Sequence, residues 1–67
     1  MKEEFINVYN KALEIAEERY IEVYKWPNFS ANIHNIDEFG IKFQFEEFNR
    51  GYVVNYEYVT VSWEELS

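Results

Sequence analysis

The sequence predicts an α+β fold, in which one N-terminal helix packs on a three-stranded antiparallel meander and a short helical turn ends the chain (αβββ). Three observations support it: apolar residues recur at helical spacing before Pro27, they alternate with polar residues after it, and two Gly-containing turns divide that second part. A chain of 67 residues is expected to form a single domain, over residues 1–67. Because it contains no Cys and a single His, either its six Phe, six Tyr and two Trp or a partner subunit has to supply the stability that disulfides or metals give other small domains.

The first predicted element is an amphipathic helix from Glu3 to about Lys25. Its apolar stripe follows alternating spacings of three and four residues, through Ile6, Tyr9, Leu13, Ala16, Tyr20 and Val23. Acidic residues at the start suit the positive end of the helix dipole, and Pro27 prevents Trp26 from continuing the helix. We expect the apolar stripe to face the sheet.

Three strands are predicted in the rest of the chain, over residues 29–34, 41–46 and 51–61. In the first two, apolar and polar residues alternate, which is the period of a strand with one buried face. The segments 37–40 and 49–51 carry turn residues, and each includes a Gly that can adopt a positive φ. Short turns between successive strands predict a meander.

The pairing of the strands is predicted from the apolar pattern. Placing Ile33 opposite Phe43 and Phe45 opposite Val54 collects the apolar side chains on one face. The residues that we expect under the helix are Phe29, Ile33, Ile41, Phe43, Phe45, Val54, Tyr56 and Tyr58.

The turn at residues 49–51 indicates a competing register for the last strand. As a type I turn with a G1 bulge, it would shift the strand by one residue and bury Asn55 and Glu57. We therefore prefer the apolar register. It requires a bulge, or the end of the strand, near Tyr58 and Val59, where the apolar phase changes.

The C-terminus carries the signature of a helix start. Residues 62–65 have the Ser-x-x-Glu spacing of a capping box, and Val61 and Leu66 are placed for a hydrophobic staple. The chain is expected to finish in one helical turn.

The composition argues against several classes of partner. Thirteen Asp and Glu against six Lys and Arg give a formal charge of −7, which disfavours direct binding to nucleic acid or to anionic membranes. No apolar run approaches the ~20 residues that span a bilayer, and the acidic start does not resemble a signal peptide. Residues with AT-rich codons dominate. We expect a protein of the bacterial cytoplasm, from a low-GC genome or its mobile elements.

Catalysis is not indicated by the sequence. Ser30 and Ser62 lie in no nucleophile motif, and a pairing of Ser30 with His34 would lack an acid. His34, the single histidine, is expected to lie on the surface rather than bind a metal. We expect no enzyme activity, no metal and no cofactor.

The helix carries a row of glutamates that includes Glu14, Glu18 and Glu22, with Glu17 beside it. Like charges four residues apart repel, and the C-terminal half of a helix disfavours negative charge. The row therefore breaks local rules, which favours a binding role, and the simpler interpretation is a solvated helix face. The turn and strand acids Asp37, Glu38, Glu46 and Glu47 either extend this partner-binding surface or are ordinary solvated charges.

A second anomaly is an apolar flank of the helix. Val8 and Ile15 lie roughly 120° around the helix from the centre of the apolar stripe. Either they contact a second copy in a homodimer, or they are scattered surface residues. An edge of the sheet is the alternative contact for such a homodimer.

In size, acidity, low-GC composition and αβββ plan, the whole chain resembles the small anti-defence proteins of phages and plasmids, among them anti-CRISPR and DNA-mimic inhibitors. The resemblance implies a non-enzymatic inhibitor that docks an acidic surface onto a basic site of a host nuclease or another nucleic-acid-binding protein.

Two other functions stay open. One is an oligomeric sponge or sensor for a nucleotide signal, which would use a cationic and aromatic sheet face. The residues of that alternative ligand face are His34, Lys42, Gln44, Arg50 and Glu57. The other is a structural or accessory interaction domain of a mobile element.

Overall fold

The structure is a computed structural model that describes residues 3–67, and it confirms the predicted α+β fold. Helix α1 spans Glu3–Tyr24, the strands β1, β2 and β3 span Phe29–Ile36, Gly40–Asn49 and Tyr52–Ser62, and helix α2 spans Trp63–Leu66. The strands form one antiparallel sheet in the order β1-β2-β3. Helix α1 lies on one face, called here the inner face, and the opposite outer face is uncovered.

Helix α1 ends at Tyr24, just before Lys25. Lys25 has a φ of 55°, and its N–H donates to the Ile21 carbonyl at 3.1 Å, which is the left-handed arrangement that commonly closes a helix. Trp26 follows, and its indole N–H donates to the Phe48 carbonyl at 2.9 Å. That bond fixes the loop between α1 and β1 to the central strand.

The core lies where the middle of α1 meets β2. Its fully buried members are Ala12, Ala16, Tyr20, Ile41, Phe43, Phe45 and Val61. Alanines let the helix approach the sheet closely, and the Tyr20 ring stacks on Phe45 with centroids 4.3 Å apart. Ile6 and Val23, the two ends of the predicted stripe, are exposed. The apolar stripe is therefore buried only in its middle.

The pairing of β1 with β2 matches the predicted register, with Ile33 opposite Phe43. The register shifts after Ile33, so that Asn35 pairs with Lys42 and His34 is left as an extra residue. A bulge of this kind bends the strand locally. Ile36 then pairs with Ile41 on the inner face.

The predicted pairing of β2 with β3 is wrong, since Phe45 lies opposite Glu57 and not Val54. Arg50 and Gly51 both have positive φ, 54° and 83°, as a two-residue type I′ hairpin turn requires. A bulge then leaves Val54 without a partner. The turn and the bulge together set the register.

This register reverses the faces predicted for β3. Val54, Tyr56 and Tyr58 are exposed rather than under the helix, while Asn55 and Glu57 belong to the inner face. No register shift occurs near Tyr58, where a bulge was expected. Asn55 stays exposed at the margin of the inner face, where its amide donates to Glu47, and tyrosine tolerates exposure since its hydroxyl is polar.

The C-terminal turn forms as predicted. Ser62 is the N-cap of α2: its N–H donates to Glu65 Oε2 at 2.8 Å, and its hydroxyl accepts from the Glu65 N–H. This reciprocal pair is a capping box. Leu66 packs against the buried cluster, so α2 closes one end of the core.

Candidate functional site

The glutamate row lies on the side of α1 that faces away from the sheet. Glu14, Glu18 and Glu22 each follow a fully buried residue, Ala12, Ala16 and Tyr20 respectively, by two positions. Two positions turn a helix by roughly 200°, so the row points to solvent. Its three members are exposed, and Glu17 beside them is half-buried.

The cation nearest to the row in sequence is engaged elsewhere. Arg19 forms the only ion pair within residues 3–67, with Glu65 of α2, and also donates to the Thr60 carbonyl at 3.3 Å. Because Arg19 is held against β3 and α2, it does not neutralise the row. Lys11 and Lys25 lie three residues beyond the two ends of the row, and within residues 3–67 neither forms an ion pair with it. The glutamate row is therefore an exposed negative surface without a direct ion pair.

The other four acidic residues of the predicted surface do not form one site. Asp37 is part of the β1–β2 turn, where its side chain accepts hydrogen bonds from the Phe39 N–H and the Asn35 amide. Glu38 is exposed in the same turn, and Glu46 lies on the outer face of the sheet. None of these three is on α1.

Glu47, the fourth, is buried, with 6% of its surface exposed, and so cannot be presented to a partner. Its Oε2 accepts a hydrogen bond of 2.5 Å from the Tyr20 hydroxyl, and its Oε1 accepts one of 3.2 Å from the Asn55 amide. The sequence did indicate a polar group on the inner face, because the competing register indicated by the turn at residues 49–51 places Asn55 and Glu57 there.

The buried carboxylate of Glu47 also affects the pKa of Tyr20. Burial, the hydrogen bond to Glu47 and the negative charges of Glu47 and Glu57 all raise the pKa of this phenol. Tyr20 is therefore a donor to Glu47 throughout the ordinary pH range. We interpret the pair as a structural link between α1 and β2.

The outer face of the sheet gathers a second group of functional side chains around Tyr58. The Gln44 amide donates to the Tyr58 hydroxyl at 3.0 Å, and the His34 ring meets the Tyr58 ring edge-on with centroids 5.0 Å apart. Lys42 Nζ lies 5.8 Å from the centre of the same ring. The structure thus brings together three of the five residues of the predicted ligand face.

Arg50 and Glu57 are separate from this Tyr58 cluster. Glu57 points to the inner face, which corrects its predicted place in the alternative ligand face. Arg50 sits in the β2–β3 turn and lines an open groove of about 540 Å³, together with Pro27, Asn28, Phe29, Phe48 and Gly51. Sequence reasoning missed Tyr58 as the centre of the outer face because it assigned that ring to the core.

Val8 and Ile15, the predicted oligomer contact, pack against the buried cluster and are half-buried. They lie on the same flank of α1 as Arg19, whose ion pair holds α2 close by. Packing within the chain therefore covers much of this apolar flank.

Two further features bear on the site. Within residues 3–67, no group of three or more His, Asp or Glu side chains is arranged to hold a metal ion. Neither described helix is both long and apolar enough to cross a membrane. No protein-family model, curated protein or solved structure matched the chain, so its surfaces carry the functional argument.

Proposed function

We propose that this chain is a non-catalytic binding protein, in which the glutamate row of α1 docks onto a basic surface of a partner protein. The observation that carries the proposal is that Glu14, Glu18 and Glu22 are exposed and form no ion pair within residues 3–67, while Arg19 is held elsewhere. Repulsion among these glutamates is an avoidable cost to the helix, and binding to cations would relieve it.

The backbone beneath the row is fixed before binding. Ala12, Ala16 and Tyr20 are fully buried on the opposite side of the same turns, and Tyr20 is held both by the Phe45 ring and by Glu47. A fixed backbone reduces the entropy that docking has to overcome. The row therefore presents its charges in a set geometry.

The charge spacing favours a partner that ordinarily binds nucleic acid. Four carboxylates over residues 14–22, at ~1.5 Å of rise per residue, give about one charge per 3 Å. One DNA strand carries a charge about every 3.4 Å. Together with the resemblance to small phage and plasmid proteins, this supports an inhibitor that occupies the nucleic-acid groove of a bacterial defence nuclease in the cytoplasm.

The test is capture of partners from a low-GC bacterial lysate, followed by calorimetric titration of each captured protein. The row variant Glu14→Gln/Glu18→Gln/Glu22→Gln should bind at least tenfold more weakly. The control Glu3→Gln/Glu4→Gln/Glu64→Gln removes the same charge from exposed positions away from the row and should bind like the wild type.

Two more measurements test whether the glutamate row imitates a nucleic acid. DNA or RNA should compete with the wild type, and affinity should fall steeply between 50 and 200 mM salt, with a shallower slope for the row variant. Equal affinity of the row variant and the wild type would reject the proposal.

The Tyr58 cluster favours a second candidate function, binding of a nucleotide on the outer face. Lys42 and His34 could meet a phosphate, while the Tyr58 ring offers a stacking surface that is 44% exposed. Titration of nucleotides into labelled protein should shift the amide signals of β2 and β3, and Lys42→Gln should abolish the shifts. Unmoved outer-face signals at millimolar nucleotide would exclude this candidate.

A further inference from the structure

The free edge of β1 presents backbone groups in a defined alternation. The Phe48 N–H donates to the Asn28 carbonyl at 2.9 Å, so Asn28 turns its hydrogen-bonding groups toward β2. In an antiparallel ladder every second residue does the same. The N–H and C=O groups of the intervening residues Phe29, Ala31 and Ile33 therefore point away from the sheet.

This edge is also the uncharged part of an acidic chain. Residues 26–36 contain no Asp, Glu, Lys or Arg, whereas the whole chain carries a net charge of −7. A second copy is repelled by most of the surface and meets no like charge along β1. Charged side chains are one means by which edge strands avoid pairing, and β1 has none.

The opposite edge of the sheet is partly covered. Arg19 donates to the Thr60 carbonyl at 3.3 Å from outside β3, and its ion pair with Glu65 holds it there. The bulge at Val54 further disrupts β3 near the hairpin. β1 therefore combines outward backbone groups with the longer run of uncharged residues, whereas Glu57, the bulge and the Arg19 contact interrupt β3.

We infer that β1 pairs antiparallel with β1 of a second copy, over residues 29–33 and about a two-fold axis at Ala31. In this register Phe29 faces Ile33 of the second copy on the inner face, an aromatic and β-branched pair that stabilises sheets. Ser30 faces Asn32 on the outer face. Apolar groups thus meet apolar groups, and polar groups meet polar groups.

The pairing also covers apolar surface that α1 leaves open. Ile33 and Ile36 belong to the inner face of β1, yet 37% and 46% of their surfaces are exposed. Joining two sheets through β1 would place the inner faces side by side, with an α1 helix on each half. The uncovered isoleucines would then line the seam between the two copies.

Sedimentation equilibrium at tens of micromolar protein tests the assembly. The molar mass measured for the wild type should be twice the chain mass of 8.2 kDa. Ile33→Asp should give a monomer, because it buries a charge in the seam. Val53→Asp is the matched control: Val53 is 38% exposed, like Ile33, but lies on β3, so this variant should stay dimeric. A wild-type monomer at ~100 μM would overturn the inference.

Amide hydrogen exchange tests the register in the unmodified chain. The N–H groups of Phe29, Ala31 and Ile33 should exchange slowly at high protein concentration and quickly on dilution, while those of Ser30 and Asn32 stay protected in both. Ala31→Pro should abolish the dimer, since it removes an outward N–H that the monomer does not use. Fast exchange of all three amides at every concentration would reject the pairing.

Salt separates this inference from the proposed function. Two acidic copies repel, so their association should strengthen as salt rises, whereas docking of the glutamate row onto a basic partner should weaken. A salt-strengthened dimer whose row variant still binds the partner would support the pairing and reject the proposed function. A monomeric chain whose glutamate row binds the partner more weakly as salt rises would reject the pairing and support the proposed function.

Discussion

Glu47 is a carboxylate buried in the core, and burying it costs free energy unless it is hydrogen-bonded. Two donors satisfy its carboxylate, the hydroxyl of Tyr20 and the amide of Asn55. A buried polar group that loses one partner costs about 1–3 kcal/mol. The stability of the fold should therefore depend on the hydroxyl of Tyr20 as well as on its ring.

Tyr20→Phe should lower the free energy of unfolding by about 1–3 kcal/mol, because it keeps the stacked ring but removes the donor to Glu47. Urea unfolding followed by tryptophan fluorescence measures the change. Tyr24→Phe is the matched control, since Tyr24 is exposed, and it should alter stability by less than about 0.5 kcal/mol. Equal effects of the two substitutions would contradict the role given to the Tyr20–Glu47 bond.

The raised pKa of Tyr20 also predicts how stability depends on pH. Above pH ~10 the unfolded chain loses the phenolic proton while the folded chain keeps it, so the unfolded state binds fewer protons and stability falls as pH rises. Below that pH the contribution is fully present. Urea unfolding between pH 9 and 11 should show this fall, and Tyr20→Phe should flatten it. An equal slope in the variant would refute the assignment.

Arg50 adopts a left-handed conformation in the β2–β3 turn, with a φ of 54°. A side chain other than Gly, Asn or Asp pays roughly 1–2 kcal/mol for this geometry. Arg50→Asn should therefore raise the free energy of unfolding by about 1 kcal/mol, and Arg50→Lys should leave it unchanged. Thermal unfolding of both variants provides the measurement, and no gain from Asn would contradict the type I′ assignment.

At the scale of elements, the glutamate row should weaken α1. Each like-charge neighbour four residues away costs about 0.2–0.5 kcal/mol, and the C-terminal half of the helix disfavours negative charge. The row variant, with Gln at positions 14, 18 and 22, should unfold at the same or a slightly higher temperature at low salt. The control variant at Glu3, Glu4 and Glu64 should lose stability, since those residues lie in first helical turns. A row variant less stable than the wild type would contradict this account.

The elements themselves could be predicted from local patterns, whereas the pairing of β3 could not. Helical spacing, strand alternation and the capping box at Ser62 act within a few residues. The register of β3 instead depends on Arg50 and on the bulge at Val54, and on whether Glu47 finds hydrogen-bond donors inside. Placing every apolar residue inside gives the wrong register, because Tyr56 and Tyr58 tolerate water and Glu47 tolerates burial with Tyr20 and Asn55 as its donors.

In the candidate site, too, some features could be predicted from local patterns and others could not. The glutamate row follows from helical geometry alone, so its position could be predicted. The Tyr58 cluster required the correct register, and the loss of Glu47 from the acidic surface required knowledge of its partners. The packing of Val8 and Ile15 against the buried cluster depends on how α1 lies on the sheet, which the sequence pattern does not specify.

At the scale of the whole molecule, charge is distributed unevenly. The row on α1 is strongly acidic, whereas the paired outer-face side chains include one lysine and one glutamate, Lys42 and Glu46. A net charge of −7 on a chain with a radius of gyration of 12.4 Å destabilises the compact state by self-repulsion. Salt between 20 and 200 mM should therefore raise the thermal midpoint. The row variant should gain less than the control variant at Glu3, Glu4 and Glu64, which has the same net charge, and an equal gain would contradict the uneven distribution.

The hydrogen bond from Arg19 to the Thr60 carbonyl affects how far such a sheet can grow. A sheet that is open on both sides can add copy after copy and become a filament. In the inferred dimer the β3 edge of each copy stays on the outside, and there the guanidinium group occupies one of the outward carbonyls. A further copy that paired along β3 past Thr60 would have to displace this contact and the ion pair to Glu65.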